Sequence, residues 1–527
     1  MNYKVLITTS GTGSRLGEAT KFINKALLRI GKKPAISHII ESYPKEVPIV
    51  ITVGYLADQI KEFLPLAYPN RKFEFVEVKK YEGDGSSLGF SMLQAENNLQ
   101  CPFVFHCCDT LVNEKIPEPE INWLGGYVVD KSKTDIDLSQ YRTHKIINGK
   151  VVELKEKGDP DFESIHIGLI GINDYAVFWK TLNEIYSADP LNTSHSDVHV
   201  LDKMINSGIN FSLIPYHDWY DTGTPTALNI ARQALGGNFQ ILDKVDESIF
   251  IFDDFVIKFF ANPKMVSDRV KRAEILKNLV PKIQGVTDHF YRYEYVEGDL
   301  YARVANPKNF LEFLEWANNN LWLKKEVKNR LEFNNACYNF YYTKTKERIG
   351  KFMTANSLLD STNVINGEPV PTLEVILSKV NFKWLSETEP YNFHGDFILD
   401  NIIKIKNGYS LLDWRQDFGG MIEAGDKYYD LGKLNHNLSV NHDIINDNKF
   451  LIKIDGDKVS CDITRVENLV ACQKILEKFV KDQGLDWKRV NIITGIIWLN
   501  MSPLHHYPFN LFLYYFGKLK LWKTLNQ

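Results

Sequence analysis

The run Gly11-Thr12-Gly13-Ser14-Arg15-Leu16, with Lys25 nine residues beyond it, holds the first residues suited to phosphate chemistry. It follows the apolar run Val5-Leu6-Ile7, which reads as a buried parallel strand. A strand leading into a glycine turn presents backbone N–H groups to phosphate oxygens. Glycine permits close approach, Arg15 can fork onto phosphate, and Lys25 adds a point charge. The run lacks Gly-Lys-Ser/Thr, so it is not a P-loop. Leu16 stands where the dinucleotide fingerprint needs its third glycine. Asp109, at the end of the apolar run 103–108, is placed to hold Mg²⁺ together with phosphate oxygens. Its neighbours His106, Cys107 and Cys108 alternate faces along a strand, so they do not converge on one ion and read as core. Farther on, Trp219-Tyr220-Asp221-Thr222-Gly223-Thr224-Pro225 combines an aromatic strand end, a carboxylate, a tight turn and a Thr-Pro helix start.

These residues need a scaffold, and residues 3–115 supply one. Strand-like runs at 5–7, 49–53, 73–78 and 103–108 alternate with helix-like patterns at 34–42, 57–63 and 86–97. That order predicts an α/β fold with an open, doubly wound and mostly parallel sheet. Ligands then sit beyond the carboxyl ends of the strands. Gly85-Ser86-Ser87 opens the last of those helices, and Gly236-Gly237-Asn238 marks a domain boundary. After it, 249–260 reads as a hairpin carrying Lys258, 266–279 as a helix carrying Glu274, and 310–341 as a long helical region. The aromatic tail 505–522 reads as helical core, or as an aromatic cage for a quaternary ammonium.

At 527 residues the chain is expected to hold two or three domains. Its formal net charge of −4 gives no reason to expect a nucleic-acid surface. Six cysteines without paired spacing suit a reducing compartment. The N-terminus runs straight into the first strand, with no room for a signal peptide, and no apolar run is long enough to span a bilayer. The expectation is a cytoplasmic protein with small-molecule and nucleotide partners, no nucleic acid, no membrane, and an oligomeric state left open.

The first half resembles the sugar-nucleotide-type nucleotidyltransferases, which share a Gly-x-Gly-x-Arg-Leu signature followed by a Pro-Lys pair; Asn24 replaces that proline and Lys25 is kept. The unit around Asp221 is similar to their Trp-x-Asp-x-Gly-Thr-Pro element, and Glu156-Lys157 to their Glu-Lys motif. The resemblance covers residues 3 to about 235 and implies a Rossmann-like domain of the glycosyltransferase-A type. It also implies Asp109 and Asp221 on one Mg²⁺, Gly85-Ser86-Ser87 near base and ribose, and Lys157 on the substrate phosphate.

The second half carries Asn392-Phe393-His394-Gly395-Asp396-Phe397, then Asn401, then Asp413-Trp414. This resembles the aminoglycoside phosphotransferase and choline kinase family, which shares the two-lobed α+β kinase fold. The resemblance implies Asp396 at the substrate hydroxyl, Asn401 and Asp413 on Mg²⁺, Lys258 on ATP phosphates and paired with Glu274, and Asp430 as a structural acid. Asp417 adds a further candidate carboxylate, and the hairpin turn before Lys258 lacks glycines.

Together the resemblances imply a bifunctional enzyme, with a nucleotidyltransferase at 1–237 and a kinase-like domain at 238–527. The kinase would phosphorylate choline, glycerol or another alditol with ATP. The other domain would couple that phosphate to a nucleotide, CTP first, as a precursor of capsule or surface polysaccharide. The alternatives are a sugar kinase feeding a UDP- or GDP-sugar pyrophosphorylase, and one active domain beside a nucleotide-binding regulatory module.

Overall fold

In the computed structural model, residues 3–128, 137–159, 161–237 and 244–527 are described. The chain divides into two compact units, Met1–Val266 with Gln284–Tyr293, and Ser267–Ile283 with Glu294–Gln527.

The first unit is built on a nine-stranded sheet. Its strands are β1 (Lys4–Thr8), β2 (Ile49–Val53), β3 (Phe73–Glu77), β4 (Phe103–Cys107), β6 (Trp123–Tyr127), β7 (Thr143–Ile147), β8 (Lys150–Lys155), β9 (Ser164–Ile172) and β10 (Phe211–Tyr216). The order is β3-β2-β1-β4-β9-β6-β10-β8-β7. A short ribbon pairs β5 (Thr110–Val112) with β11 (Trp219–Asp221), setting Asp221 opposite Thr110. The β3-β2-β1-β4 half is parallel, as expected. Beyond it β9 runs antiparallel to β4 and β6, and β8 antiparallel to β10 and β7, so the sheet is mixed rather than mostly parallel. A strand's direction depends on how its connection returns to the sheet, which its own residue pattern does not encode.

Beyond Gly237 the chain adds β12 (Glu247–Ile251) and β13 (Phe255–Phe260), then β14 (Ile283–Val286) and β15 (Phe290–Glu294), in the order β12-β13-β15-β14. By compactness these strands group with the first unit, whereas the reading of the sequence placed them in the lobe of a second domain starting at 238. Asn238 itself lies outside the described residues. The physical reason is a shared core. Phe63 packs edge-on against Phe250 with centroids 5.4 Å apart and tilted against Phe290 at 5.7 Å. Arg292 donates to the Leu66 carbonyl at 2.9 Å, and His289 Nδ1 meets Glu62 Oε1 at 3.1 Å.

The second unit is mixed α/β. Strands β16 (Asp299–Leu300), β17 (Ile402–Ile405) and β18 (Gly408–Leu411) form a sheet in that order. Its helical core packs Trp487–Met501 against Phe509–Asn526 and Lys427–Ser439. Phe509, Phe512, Tyr514 and Tyr515 are buried in that core, as the first reading of the aromatic tail expects. The long helix expected at 310–341 is broken into Pro307–Asn320 and Arg330–Tyr338, and a π turn at Asn339–Thr343 leads into Lys344–Ala355.

Phe250 is fully buried, so Phe250→Ala is expected to destabilise the first unit by about 3–5 kcal/mol. Urea denaturation followed by fluorescence checks this. An unchanged first-unit transition would detach the hairpin from that core.

Candidate functional sites

In the first unit the loop after β1 turns at Gly13, whose φ of 66° is left-handed, and a Cβ there would lie 3.2 Å from Lys25 Cβ. Ser14 and Arg15 are exposed beyond it. No atom outside the neighbouring residues lies within 4 Å of a Cβ built on Gly11, so that face of the loop is open; Thr12 is partly buried. Asn24 is buried, and its Nδ2 donates to the carbonyls of Thr9 at 3.0 Å and Tyr55 at 2.8 Å. Its Oδ1 accepts from Ala26 N at 3.0 Å and so caps the short turn Lys25–Leu27. The residue that departs from the family signature therefore anchors the turn from which Lys25 projects.

Lys25 Nζ reaches Asp109 Oδ2 at 3.0 Å. Thr222 N donates to the Asp109 carbonyl at 2.9 Å and Gly223 N to Asp221 Oδ1 at 2.8 Å, which ties the two carboxylate segments together. A Cβ on Gly223 would stand 3.1 Å from Arg15 Nη2, 3.1 Å from Asp221 Oδ1 and 3.2 Å from Asp109 Oδ2. Arg15, Asp109 and Asp221 thus converge on one spot, and glycine leaves it open. Burial would raise the Asp109 carboxyl, but Lys25, the Cys107 thiol and Arg15 outweigh it and hold it at about 2. Asp221 is pushed the other way, by burial and by the Asp109 charge. Two carboxylates closing on an open spot fit Mg²⁺, which takes few protein oxygens and fills its shell with phosphate and water.

Other expected residues are placed differently. Gly85 has φ 75°, and a Cβ there would lie 2.5 Å from the Pro190 carbonyl oxygen. Ser86 Oγ donates to the Gly83 carbonyl at 2.7 Å, and Ser87 Oγ caps the helix Leu88–Leu93 by accepting from Phe90 N at 3.0 Å. Ser10 and Ser91 share a hydrogen bond of 2.8 Å, which fixes this helix to the end of β1. Lys157 lies exposed in the turn after β8, away from any described hydrogen bond or ion pair; the buried lysine there is Lys155, which meets Asp161 Oδ2 at 2.7 Å. His106 is held by Tyr43 OH at 2.8 Å and the Thr110 carbonyl at 2.9 Å, and burial brings its pKa down to about 4. Tyr141 was not singled out from the sequence, yet its OH donates to Asp221 Oδ2 at 2.6 Å. No local pattern marks it.

In the second unit Asp430 is buried at the centre of the His394-Gly395-Asp396 turn. Its Oδ2 accepts from His394 N at 2.8 Å and Trp322 Nε1 at 3.1 Å, and its Oδ1 from Gly395 N at 2.7 Å. Burial still raises its pKa to about 6. His394 Nε2 meets the Leu412 carbonyl at 2.9 Å, and its Nδ1 accepts from Asp396 N at 3.2 Å. Burial lowers the pKa of His394 to about 4, so the ring is a neutral spacer between the turn and the Asp413 segment. Asn401 Nδ2 donates to Asp396 Oδ2 at 3.2 Å and to the Asp396 carbonyl at 3.0 Å. Asp413 has φ 54°, a left-handed backbone that is uncommon outside glycine and clusters at functional sites.

Two cations complete this site, and neither was expected. Lys433 Nζ lies 2.6 Å from Asp396 Oδ1, and Arg269 Nη1 donates to Asp413 Oδ1 at 2.6 Å and to the Trp414 carbonyl at 2.8 Å. Lys433 was legible in hindsight, because it stands one helical turn after Asp430 on Lys427–Ser439. Glu274 is exposed. Its helix Pro263–Leu276 turns Arg269 and Arg272 toward the Asp413 and Phe393 segments, and Glu274, two residues past Arg272, is carried to the opposite side. Lys258 is buried on β13 opposite Ile249, in the first unit, while Glu274 belongs to the second.

Comparisons with known proteins bear on the N-terminal part. No protein-family profile matches the chain. The bifunctional protein GlmU of Methanococcus vannielii is 26% identical over 228 residues, 42% of this chain and 52% of that protein. The chain thus spans about half the length of the curated relatives it matches. Among solved structures, the CTP:phosphocholine cytidylyltransferase of Streptococcus pneumoniae is matched over 45% of this chain and all of its own, at 16% identity and a TM-score of 0.36. The inositol-1-phosphate CTP transferase of T. maritima is matched over 46% of this chain and 98% of its own, at 16% identity and a TM-score of 0.35. Each of these matches covers somewhat less than half of this chain.

Asp396 has its pKa lowered because Lys433 outweighs the effect of burial. In Lys433→Met the largest influence opposing burial is lost, so the Asp396 carboxyl is expected to titrate higher than in the wild type. Carboxyl ¹³C NMR of labelled aspartate reads this directly, and an unmoved titration would remove Lys433 as the controlling charge.

Proposed function

We propose that the first unit transfers a nucleotidyl group to a phosphorylated small molecule, and that the second phosphorylates a small alcohol with ATP. The observation that carries the first reading is the convergence of Arg15, Asp109 and Asp221 on the open space at Gly223, with Lys25 on Asp109. In this reading an oxygen of the acceptor phosphate attacks the α-phosphorus of the nucleoside triphosphate. The bond from that phosphorus to the β-bridging oxygen breaks and pyrophosphate leaves, without a covalent enzyme intermediate. Arg15 and Lys25 offset charge on the phosphates and the glycine loop aligns them. Asp109 and Asp221 would hold Mg²⁺, which supplies further charge neutralisation. CTP is the first choice of nucleotide by family resemblance.

In the second unit Asp396 accepts the hydroxyl proton as the alcohol oxygen bonds to the γ-phosphorus and ADP leaves. Asn401 and Asp413 would hold the Mg²⁺ of MgATP. The support is the fixed Asp396 turn, with Asn401 bonded to Asp396 and Asp413 joined to the turn through His394. Such a pair of activities would make an activated precursor of the kind used for surface polysaccharides.

The test is to incubate the chain with ATP, each nucleoside triphosphate in turn and a panel of alcohols, and to identify products by mass spectrometry. Asp221→Ala is expected to abolish pyrophosphate release and to leave ATP-dependent phosphorylation intact. Asp396→Asn is expected to slow phosphorylation by about two to four orders of magnitude, with pyrophosphate release from a pre-phosphorylated acceptor unchanged. Asp413→Asn should weaken MgATP binding as well as turnover. Wild-type rates in the Asp221 or Asp396 variant would sink the corresponding assignment.

A further inference from the structure

Beside the Asp396 turn the second unit gathers cations that pair with no carboxylate among the described residues. Lys433 is committed to Asp396. Arg415 follows the Asp413-Trp414 pair. Its N donates to the His394 carbonyl at 2.9 Å, and its side chain lies so close to Gly395 that a Cβ there would come 2.5 Å from Arg415 Cβ. Its Nε donates to the Asp417 carbonyl at 3.1 Å, and its guanidinium stands over the Phe340 ring, 5.1 Å from the centroid. Lys344 Nζ lies over the same ring at 3.8 Å. Arg348, one turn along the same helix, donates to the Asn500 carbonyl at 3.1 Å. Among the described residues, none of Lys344, Arg348 and Arg415 forms an ion pair with a carboxylate.

Phe340 sits on the π turn Asn339–Thr343, and such turns occur often at functional sites. Lys344 is held there at a cost. Burial first, then Arg415, Arg348 and Lys433, push its ammonium well below its ordinary pKa, with Asp417 giving only partial relief. A lysine kept among cations, with an aromatic face as its described contact, lacks the structural partner that would account for it.

We propose that Lys344, Arg348 and Arg415 bind an anionic group of the acceptor, so that the alcohol phosphorylated at Asp396 also carries a phosphate or a carboxylate. The inference rests on the phosphotransfer reading above and names the substrate class of that site. Guanidinium forks match the oxygens of either anion, and an anion here relieves the repulsion on Lys344. A quaternary ammonium such as choline is repelled by the same cluster, and a neutral alditol gains nothing from it.

The full chain is incubated with MgATP and, separately, glycerate, glycerol 3-phosphate, glycerol and choline, and ADP formation above the acceptor-free rate is measured. The expected result is the highest kcat/KM with one of the two anionic acceptors, glycerate marking a carboxylate site and glycerol 3-phosphate a phosphate site. Lys344→Gln should raise the acceptor KM about 10- to 100-fold, with the KM for ATP unchanged and Lys344→Arg restoring the lower value. Preference for glycerol or choline overturns the proposal, as does a Lys344→Gln effect on the KM for ATP in place of the acceptor's. If no acceptor is phosphorylated, calorimetric titration with inorganic phosphate and with glycerate decides. Binding that is lost in Lys344→Gln upholds the anion site and leaves the phosphotransfer reading to fall by itself; equal binding in both proteins, or none, overturns the site.

Discussion

A carboxylate partly or wholly withdrawn from water is met by a cation or by several hydrogen-bond donors, and both candidate sites are organised around that requirement. Asp109 is met by Lys25, Asp396 by Lys433, and Asp430 by two backbone N–H groups and an indole. Each pairing fixes more than a charge. Lys25 brings the glycine loop over the strand end, and Asp430 holds the turn that presents Asp396. The strand ends and turns of both units are therefore set by where charge can be tolerated as much as by apolar burial.

The two candidate sites have opposite local electrostatics. In the first, two acids share one spot, and Lys25 favours the ionised form of Asp109, so that Asp221 bears the cost of their proximity. A divalent cation and a triphosphate would suit that arrangement, since the cation would relieve the acids while the phosphates would meet Arg15 and Lys25. In the second, Lys433 pairs with Asp396, and the charges of Arg415, Arg348 and Lys433 disfavour the Lys344 ammonium. Partly buried cations without a carboxylate partner among the described residues suit an anion. In the proposed phosphotransfer this imbalance would favour an anionic acceptor over a cationic one, and no single motif carries it.

Much was legible in the sequence. The loop from Gly11 to Leu16, the strand-end Asp109, the Asp221 turn and the His394-Gly395-Asp396 turn are local objects. Left-handed glycines, helix caps and apolar runs specify them over a few residues, because backbone sterics and neighbouring hydrogen bonds act at that range. The strands at 49–53, 73–77 and 103–107 follow from the same local patterning. Even the departure at Asn24 was visible in the sequence, although its side-chain hydrogen bonds to Thr9, Tyr55 and Ala26 were not.

Tertiary structure decided the rest. Lys25 and Asp109 are 84 residues apart, and no spacing rule selects that pair over Lys157 and its neighbours. Arg269, rather than Glu274, reaches the Asp413 segment because of how the helix Pro263–Leu276 is rotated, and rotation is set by packing. The reversal of β9 and the affiliation of the β12–β13 hairpin with Phe63 likewise depend on which apolar faces find each other. The sequence by itself determined which residues could do chemistry, because that is a property of side chains and short loops. Which acid meets which cation was decided only in the folded chain, because burial and long-range charge arise when distant segments share one interior.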